Sequence, residues 1–408
     1  MNRLKPFGLS QSSQRLGRNQ FPGNLRERLR IWWREVDKVL LGLTLTLMLI
    51  GTLAVSAASP ASAIRLSTST IQLNDFYFFR QHMVWQIGGL TLMIAVSLLP
   101  RFRARQLGIV IALLMFFLLS LVPIFGFERN GAQRWLDLGF SFQPSEFLKP
   151  GFAVLIAWIL SLRLREPELP VVFFSLIFVI GVGTLLMMQP NLGATLLFAG
   201  IWFVLVLLSG VGLRFLGVIV GASITALTAT YFLYDNARNR IDAFLGGGTA
   251  YDQVDLAQRT LTAGGWSGTG LWLGVRKMNL PEAHTDYIFS VIGEEFGLLT
   301  CAIVVLVYLT IIWRVLLRLI KEEDLFSILA GAGLVTAVGG QAFINILVNL
   351  QLFPSKGMTL PLISYGGSST MAMCLTAGLL LAITRRNPSL KGDISGLRSD
   401  LELGGYKR

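Results

Sequence analysis

Long apolar stretches, separated by short polar segments, dominate the pattern of residues along this chain. Ten of them approach the length of about 20 residues that a helix needs to cross the hydrocarbon core of a bilayer. They cover residues 38–59, 82–99, 106–125, 146–162, 168–188, 191–209, 212–233, 287–320, 325–350 and 366–384. The pattern predicts an all-α polytopic membrane protein with about ten transmembrane helices. Span eight is too long for a simple perpendicular crossing, so we expect it to tilt or to extend beyond the bilayer.

Basic residues fall in alternate loops of this ten-span arrangement. Many precede the first span within residues 15–38, and Arg385 and Arg386 follow the last span. The loops after spans two, four, six and eight also carry basic residues, namely Arg101, Arg103, Arg105, Arg163, Arg165, Arg214, Arg318 and Lys321. Because positive charge marks the cytoplasmic side of a membrane protein, both termini are predicted to be cytoplasmic.

The predicted topology leaves two long segments on the outer side, at residues 234–286 and 351–365. Long loops in compact proteins are usually functional or disordered. Glycine clusters in the first segment favour turns and close approach of the backbone. The predicted organisation is a disordered basic cytoplasmic N-terminus at 1–37, a membrane domain at 38–386 and a cytoplasmic tail at 387–408.

Composition supports a membrane protein and excludes several function classes. Hydrophobic residues make up 53% of the 408 residues and charged residues only 14%, whereas a soluble domain carries about 25% charged residues. The net charge of +12 flanks the spans, so it indicates topology and not nucleic-acid binding. No nucleotide-binding phosphate loop and no metal-ligand spacing is present. Cys301 and Cys374 lie in apolar stretches, where cysteine acts as a small apolar residue.

Ionisable residues crowd the start of span eight. Glu282 and Asp286 are four residues apart and would share a face on a helix, with His284 between them; Ser290 and Glu294 continue that face into the span. A carboxylate at this depth is costly unless it meets a cavity or a partner. For Asp286 and Glu294 together the pattern favours a polar cavity. For Glu282, a negative charge that stabilises the helix start is an equal alternative.

Span nine carries a polar stripe of its own. Gln341, Asn345 and Asn349 recur every four residues in an otherwise apolar segment that leads to Lys356. Side-chain amides also form hydrogen bonds between membrane helices, and that alternative stays open for each of them. Three in register favour one wall of a hydrophilic cleft.

Two arginines on the outer side are candidates for binding an anion. Arg134 precedes Trp135, a pair that suits either an interfacial anchor or phosphate binding. Arg240 has the same ambiguity. Residues 189–193 break the chain between spans five and six, where a tight turn is the simpler interpretation.

Several of these motifs together resemble the SEDS polymerases of bacterial cell-wall synthesis. The matching segments are residues 130–135, 143–146, 280–286, 293–297 and 356–369. The resemblance runs from about 38 to 386, and residues 356–361 are more similar to the division branch of that family than to its elongation branch. Two positions depart from the family pattern. Asn191 replaces the usual aspartate, and residues 270–274 differ from the common glycine-rich sequence.

The resemblance implies a peptidoglycan glycosyltransferase that polymerises lipid II into β-1,4-linked glycan at the outer face of the cytoplasmic (inner) membrane, at the division septum. Asp286 matches the proposed catalytic aspartate of the family, and Glu282 matches a second functionally important carboxylate. The residues assigned to substrate binding are Lys356, Arg134, Arg240, His284, Glu294, Gln341, Asn345 and Ser368.

A mechanism follows from these assignments. Asp286 would act as general base on the acceptor hydroxyl, while Lys356 and Arg134 would offset the charge that develops on the leaving pyrophosphate. No resident cofactor is predicted, and none of the expected residues is a metal ligand. A divalent cation, Mg²⁺ or Mn²⁺, that bridges the pyrophosphate is compatible with this scheme, although the sequence has no dedicated metal cage.

The resemblance also implies partners, and the sequence permits rival functions. The partners are lipid II, a class B penicillin-binding protein, regulators of the divisome and membrane lipids, with no nucleic acid. An elongation-type polymerase is one alternative. A lipid II flippase or transporter is another, because carboxylates and amides in the membrane also mark substrate pathways. A non-catalytic scaffold for other wall enzymes is the third.

Overall fold

The computed structural model describes residues 25–69, 72–129, 132–137, 139, 141–246, 251–354 and 357–385. Lys356, residues 1–24 and the tail after Arg385 lie outside these ranges, so the structure does not test the expectations for them. For Arg240 the structure describes the backbone alone.

Each of the ten apolar segments is a helix in the structure. Their bounds are Lys38–Leu66 (α2), Tyr77–Ser97 (α3), Arg101–Phe125 (α4), Pro144–Ser161 (α5), Val171–Met188 (α6), Leu192–Leu208 (α7), Leu213–Leu233 (α8), Ile288–Leu319 (α11), Leu325–Asn349 (α12) and Gly367–Ile383 (α13). By length and apolarity, six described helices are sufficient to cross a membrane: α2, α4, α5 with its 3₁₀ extension to Leu164, α6, α11 and α12. The helices α7 and α13 are apolar but shorter.

Helices α5, α12 and α13 pack against one another at the centre of the bundle. The most apolar window is 72% buried in α12 and 61% in α5, but only 22% in α6 and 28% in α4. A small residue also allows α5 to approach α4 closely: a Cβ atom on Gly151 would lie 2.6 Å from the backbone nitrogen of Ala112 in α4. Close backbone approach through glycine is the usual way in which membrane helices associate.

Helix α11 contains a kink that explains its unusual length. Gly297 has φ +84° and ψ +170°, so the helix runs as two pieces that meet there. At 1.5 Å per residue, the piece from Gly297 to Leu319 is about 33 Å long, close to the hydrocarbon thickness of a bilayer. The residues before Gly297 extend past that span, as the length of the apolar segment predicted.

The loop between α4 and α5 corrects the expectation of an all-α fold. It forms a three-stranded antiparallel sheet of Phe127–Arg129 (β1), Ala132–Asp137 (β2) and Ser141–Phe142 (β3), in the order β1-β2-β3. Glu128 pairs with Gln133, and Leu136 pairs with Phe142. Strands of two to six residues are too short to produce a periodic hydrophobic signal, so the sequence pattern did not reveal them.

Two other segments are more ordered than expected. Within the predicted disordered N-terminus, Leu25–Glu35 is a helix (α1). Its apolar residues recur at helical spacing among charged ones, a pattern that a reading based on charge alone overlooks. The long loop at 234–286 contains the helices Asp235–Phe244 (α9) and Tyr251–Ala263 (α10) and a short 3₁₀ helix at Arg276–Asn279.

Candidate active site

A polar cavity of about 1100 Å³ lies where α2, α3, α5, α7 and α13 meet the strands β2 and β3 and the segment that precedes α11. Among the described residues, the carboxylates Glu146, Glu282 and Asp286 and the cations Arg65, Arg134 and Lys149 line it. The mixture of three carboxylates and three cations in a concave site is typical of a binding or catalytic centre. Ser368 also lines the cavity, where its hydroxyl accepts the backbone N–H of Gln143 and donates to the carbonyl oxygen of Ser141.

Asp286 reaches the cavity from the residues just before α11, and α12 fixes its backbone. Its carbonyl oxygen accepts hydrogen bonds from Nδ2 of Asn345, at 2.8 Å, and from Nδ2 of Asn349, at 3.1 Å. Its carboxylate lies beside the loop before α13. A Cβ atom placed on Gly357 would be 3.5 Å from Asp286 Oδ2 and 3.6 Å from Arg134 Nη1. The structure therefore brings the predicted base and one predicted cation to the same glycine.

Arg134 is held in place by the break between α6 and α7. From β2, its Nε donates to the carbonyl oxygen of Gln189 at 3.1 Å, and its Nη2 donates to that of Pro190 at 2.5 Å. The next residue, Asn191, caps α7 by accepting the backbone N–H of Ala194 through Oδ1. Residues 189–193 thus form more than a tight turn, because their carbonyl oxygens orient the guanidinium.

Glu282 and His284 line the cavity from a turn and not from a helix. Glu282 has φ +51°, and Thr285 Oγ1 donates to its carboxylate at 2.8 Å. Because α11 begins only at Ile288, the expectation that Glu282 and Asp286 share a helical face is wrong. His284 is 5% exposed, and its Nδ1 forms a hydrogen bond with Ser62 Oγ at 2.8 Å. This contact and the packing of its ring orient His284 at the cavity wall.

Glu294 lies away from the cavity. Its two carboxylate oxygens accept the backbone N–H groups of Arg276 at 2.6 Å and Lys277 at 2.9 Å. It is 1% exposed. These contacts explain how the bundle tolerates a buried carboxylate there, since ionised oxygens need donors when they leave water. The geometry assigns Glu294 to the support of the preceding loop.

The amides of α12 also bind protein groups instead of lining the cavity. Gln341 donates to the carbonyl oxygen of Thr359 at 2.9 Å. Asn345 bridges Asp286 to the carbonyl oxygen of Met358, at 2.6 Å. Asn349 Oδ1 accepts from the hydroxyl of Ser290 at 2.7 Å. Asn345 and Asn349 thus contact Asp286 and Ser290, whereas Gln341 contacts the loop before α13, and these bonds hold the segments around the cavity together.

One pair of cavity residues escaped the sequence-based assignment. Lys149 Nζ donates to Glu146 Oε1 and to Gln341 Oε1, each at 2.6 Å. The Lys149 side chain is 2% exposed and that of Glu146 13%. Within the described residues, Glu146 Oε2 has no hydrogen-bond partner. A lysine inside an apolar span is the signal that could have identified the pair.

Metal ligation by the protein alone finds no support in the described parts of the chain. Within them, no group of three or more His, Cys, Asp or Glu side chains is placed to hold an ion. Mg²⁺ is usually held by one or two carboxylates together with substrate phosphates.

The chain is similar to known proteins in sequence and in fold. A family model described as cell cycle protein, named for FtsW, RodA and SpoVE, matches residues 38–389. A probable peptidoglycan glycosyltransferase FtsW from Caulobacter vibrioides (strain NA1000 / CB15N) is 36% identical over 90% of this chain and 94% of its own length. A probable peptidoglycan glycosyltransferase FtsW from Thioalkalivibrio sulfidiphilus (strain HL-EbGR7) is 34% identical over 90% of this chain and 95% of its own.

Two solved structures share the fold. One belongs to work on the structural coordination of polymerization and crosslinking by a peptidoglycan synthase complex, with TM-score 0.69 and 28% identity over 86% of this chain and 97% of that chain. The other is the rod shape determining protein RodA of Thermus thermophilus, with TM-score 0.63 and 26% identity over the same shares. The chain therefore belongs to the FtsW, RodA and SpoVE family of cell cycle proteins.

Proposed function

We propose that this chain is a peptidoglycan glycosyltransferase that joins the disaccharides of lipid II at the outer face of the cytoplasmic membrane during septal wall synthesis. The observation that carries the proposal is the placement of the Asp286 carboxylate and the Arg134 guanidinium beside Gly357 in one polar cavity. Family membership supports the reaction class, because the curated relatives are named peptidoglycan glycosyltransferases.

The chemistry divides between a base and a cationic group. Asp286 accepts the proton of the acceptor hydroxyl as the oxygen attacks the anomeric carbon of the donor sugar. The new glycosidic bond forms as the bond from that carbon to the pyrophosphate oxygen breaks. A positioned base typically contributes ~10²–10⁴-fold to the rate. Arg134 stabilises the negative charge that develops on the pyrophosphate, and Lys356 is proposed to assist it.

The orientation is that of a ten-span protein with both termini in the cytoplasm. Ion pairs gather at the end of the bundle opposite the cavity. Asp37 accepts from Arg314 at 2.9 Å and from Arg318 at 2.5 Å, and Arg101 pairs with Glu322 at 2.9 Å. The excess of arginine at that end supports a cytoplasmic assignment, which leaves the cavity on the outer side. There it would meet lipid-linked substrates.

The decisive experiment is lipid II polymerisation by the purified full-length chain in detergent or nanodiscs. Wild type and Asp286→Asn are compared, each with and without a class B penicillin-binding protein as partner. We expect Asp286→Asn to form no polymer and to melt at the wild-type temperature. The matched control is Asp255→Asn, which alters a carboxylate that pairs with Arg259 within the surface helix α10 and should leave polymerisation unchanged.

Three results would contradict the proposal. Polymer formed at the wild-type rate by Asp286→Asn would remove the assigned base. Transbilayer movement of labelled lipid II by a wild type that makes no polymer, even with the partner, would favour a transporter. Normal cell division supported by Asp286→Asn would favour a scaffold.

A further inference from the structure

The segment at residues 264–279, which we call the tryptophan loop, exposes an unusual amount of apolar surface. The exposed fractions are 73% for Trp266, 53% for Trp272, 69% for Leu273, 74% for Val275 and 40% for Met278. Large exposed apolar patches mark sites of interaction with protein or membrane. The function proposed above assigns no role to this surface.

The inner side of the tryptophan loop satisfies its own backbone. Glu295 accepts the N–H groups of Trp272 and Gly274 and the ammonium of Lys277, and Glu294 accepts two further N–H groups of the loop. Irregular backbone survives at membrane depth only where the protein supplies its hydrogen bonds. The two carboxylates meet that condition for four backbone N–H groups between Trp272 and Lys277, while the large apolar side chains of the loop and the Arg276 side chain are exposed.

The depth of the loop in the bundle coincides with a membrane boundary. Trp272 Nε1 donates to the carbonyl oxygen of Ser56 at 3.2 Å. Ser56 lies about 28 Å along α2 from Asp37, which begins that helix at its ion-paired end. The carbonyl oxygen of Trp266 accepts the N–H of Leu299, which is about 30 Å along α11 from its last residue, Leu319. Both distances match the hydrocarbon thickness of ~30 Å.

The loop is also continuous with a lipid-facing stripe. Leu299, Ile303 and Leu306 are 57%, 53% and 59% exposed and share one face of α11 at helical spacing. The stripe begins at Leu299, whose backbone N–H donates a hydrogen bond to the carbonyl oxygen of Trp266. Tryptophan is enriched where membranes meet water.

We propose that the tryptophan loop seats in the outer boundary of the lipid bilayer, with Trp266, Leu273 and Val275 among the upper acyl chains. Its occupant is bilayer lipid. The inference rests on the membrane orientation proposed above but is independent of glycosyl transfer. Because Leu280 follows the loop directly and leads to Asp286, docking on lipid sets the height of the cavity mouth above the acyl chains.

Spin labels measure this docking in the full-length chain. In nanodiscs, a Cys301→Ala, Cys374→Ala background receives one cysteine at a time, at Val275→Cys or Leu273→Cys, and each is labelled with a nitroxide. Matched controls are Ile303→Cys on the lipid-facing stripe and Glu166→Cys in the polar turn after α5. The measurement is accessibility to oxygen, which concentrates in lipid, relative to a water-soluble nickel chelate.

We expect an oxygen-to-nickel accessibility ratio at Val275 and Leu273 several-fold above that at Glu166 and close to that at Ile303. Ratios at the level of Glu166 would place the loop in water and overturn the proposal. Low accessibility to both reagents would show that another protein chain covers the loop, which also overturns it. Each variant is first required to give the wild-type melting temperature and gel-filtration profile, so that a misfolded chain is not scored.

Discussion

Two pairs of carboxylates, separated by fewer than ten residues of sequence, occupy opposite environments in this protein. Glu282 and Asp286 line the polar cavity, whereas Glu294 and Glu295 are each 1% exposed and are surrounded by donors of the tryptophan loop. The first pair is placed to act on a substrate and the second to hold a fold. The role of a carboxylate near the start of a helix therefore follows from what its oxygens contact, and not from its position along the apolar segment.

The largest loss of stability is expected from Glu295→Gln. The substitution leaves Lys277, 3% exposed in its side chain, as a buried cation without its carboxylate. Breaking a buried pair by removing one partner costs about 3–5 kcal/mol. Thermal unfolding in nanodiscs should show a strongly lowered melting temperature.

The matched variant for that test is Lys277→Met/Glu295→Gln, which removes both charges. It should recover much of the lost stability, because two apolar or neutral groups can replace a buried pair at little cost. An unchanged melting temperature in Glu295→Gln would show that the Lys277–Glu295 ion pair does not support the loop. The distinction between Glu295 as a supporting carboxylate and Asp286 as an acting one would then fail.

The substitution Lys149→Met tests the same distinction, between residues that act on a substrate and residues that support the fold, inside the cavity. The change leaves Glu146 without its cation, and Glu146 Oε2 already lacks a partner within the described residues. We expect a loss of about 3 kcal/mol together with a large loss of polymerisation. The double variant Lys149→Met/Glu146→Gln should restore stability without restoring polymerisation. If stability and polymerisation recover together, Lys149 and Glu146 support the fold, as Glu294 and Glu295 do.

The helices could be predicted from the sequence because each depends on local apolar length. The sheet was not predicted, because strands of two to six residues lack a strong periodic signal, and α1 was missed because the basic charge of its segment outweighed the helical spacing of its apolar residues. The sequence pattern did not predict the kink of α11 either. It depends on Gly297, whose missing Cβ lets the carbonyl oxygen of Trp266 approach to 2.3 Å from where that atom would stand.

The motifs identified residues that the structure places around one cavity, and the roles of these residues in binding and catalysis stay predictions. Asp286, Glu282, Arg134, His284 and Ser368 all line the cavity, as the motifs indicated. Glu294 does not, because α11 is covered there by the tryptophan loop. Helical periodicity gives no account of a neighbouring loop that supplies backbone donors to one face of a helix.

The substitution Asn345→Ala tests whether α12 affects polymerisation by positioning Asp286. Asn345 touches the carbonyl oxygens of Asp286 and Met358 and not the cavity. Loss of these buried bonds costs about 1–3 kcal/mol. We expect kcat for lipid II polymerisation to fall about tenfold, as a shift of the base requires, with KM little changed.

Ser290→Ala is the control for that position. It removes a buried hydrogen bond to Asn349 Oδ1 but leaves both carbonyl contacts of Asn345 in place. A similar small loss of stability with normal kcat is expected. Equal losses of kcat in Ser290→Ala and Asn345→Ala would show a general loosening of α12 instead of positioning.

The smallest effect is expected from Asn191→Asp, which restores the residue usual in the family. In this structure Asn191 Oδ1 caps α7 by accepting the N–H of Ala194, and aspartate caps a helix about as well as asparagine. Since Arg134 is oriented by the carbonyl oxygens of the two preceding residues, the side chain at 191 is not needed to hold it. The polymerisation rate should stay within about twofold of wild type, and the free energy of unfolding should stay within ~1 kcal/mol of wild type. A large gain in rate would place a third carboxylate beside Asp286 and Glu282 in the catalytic group, and the division between acting and supporting carboxylates would then extend to the turn before α7.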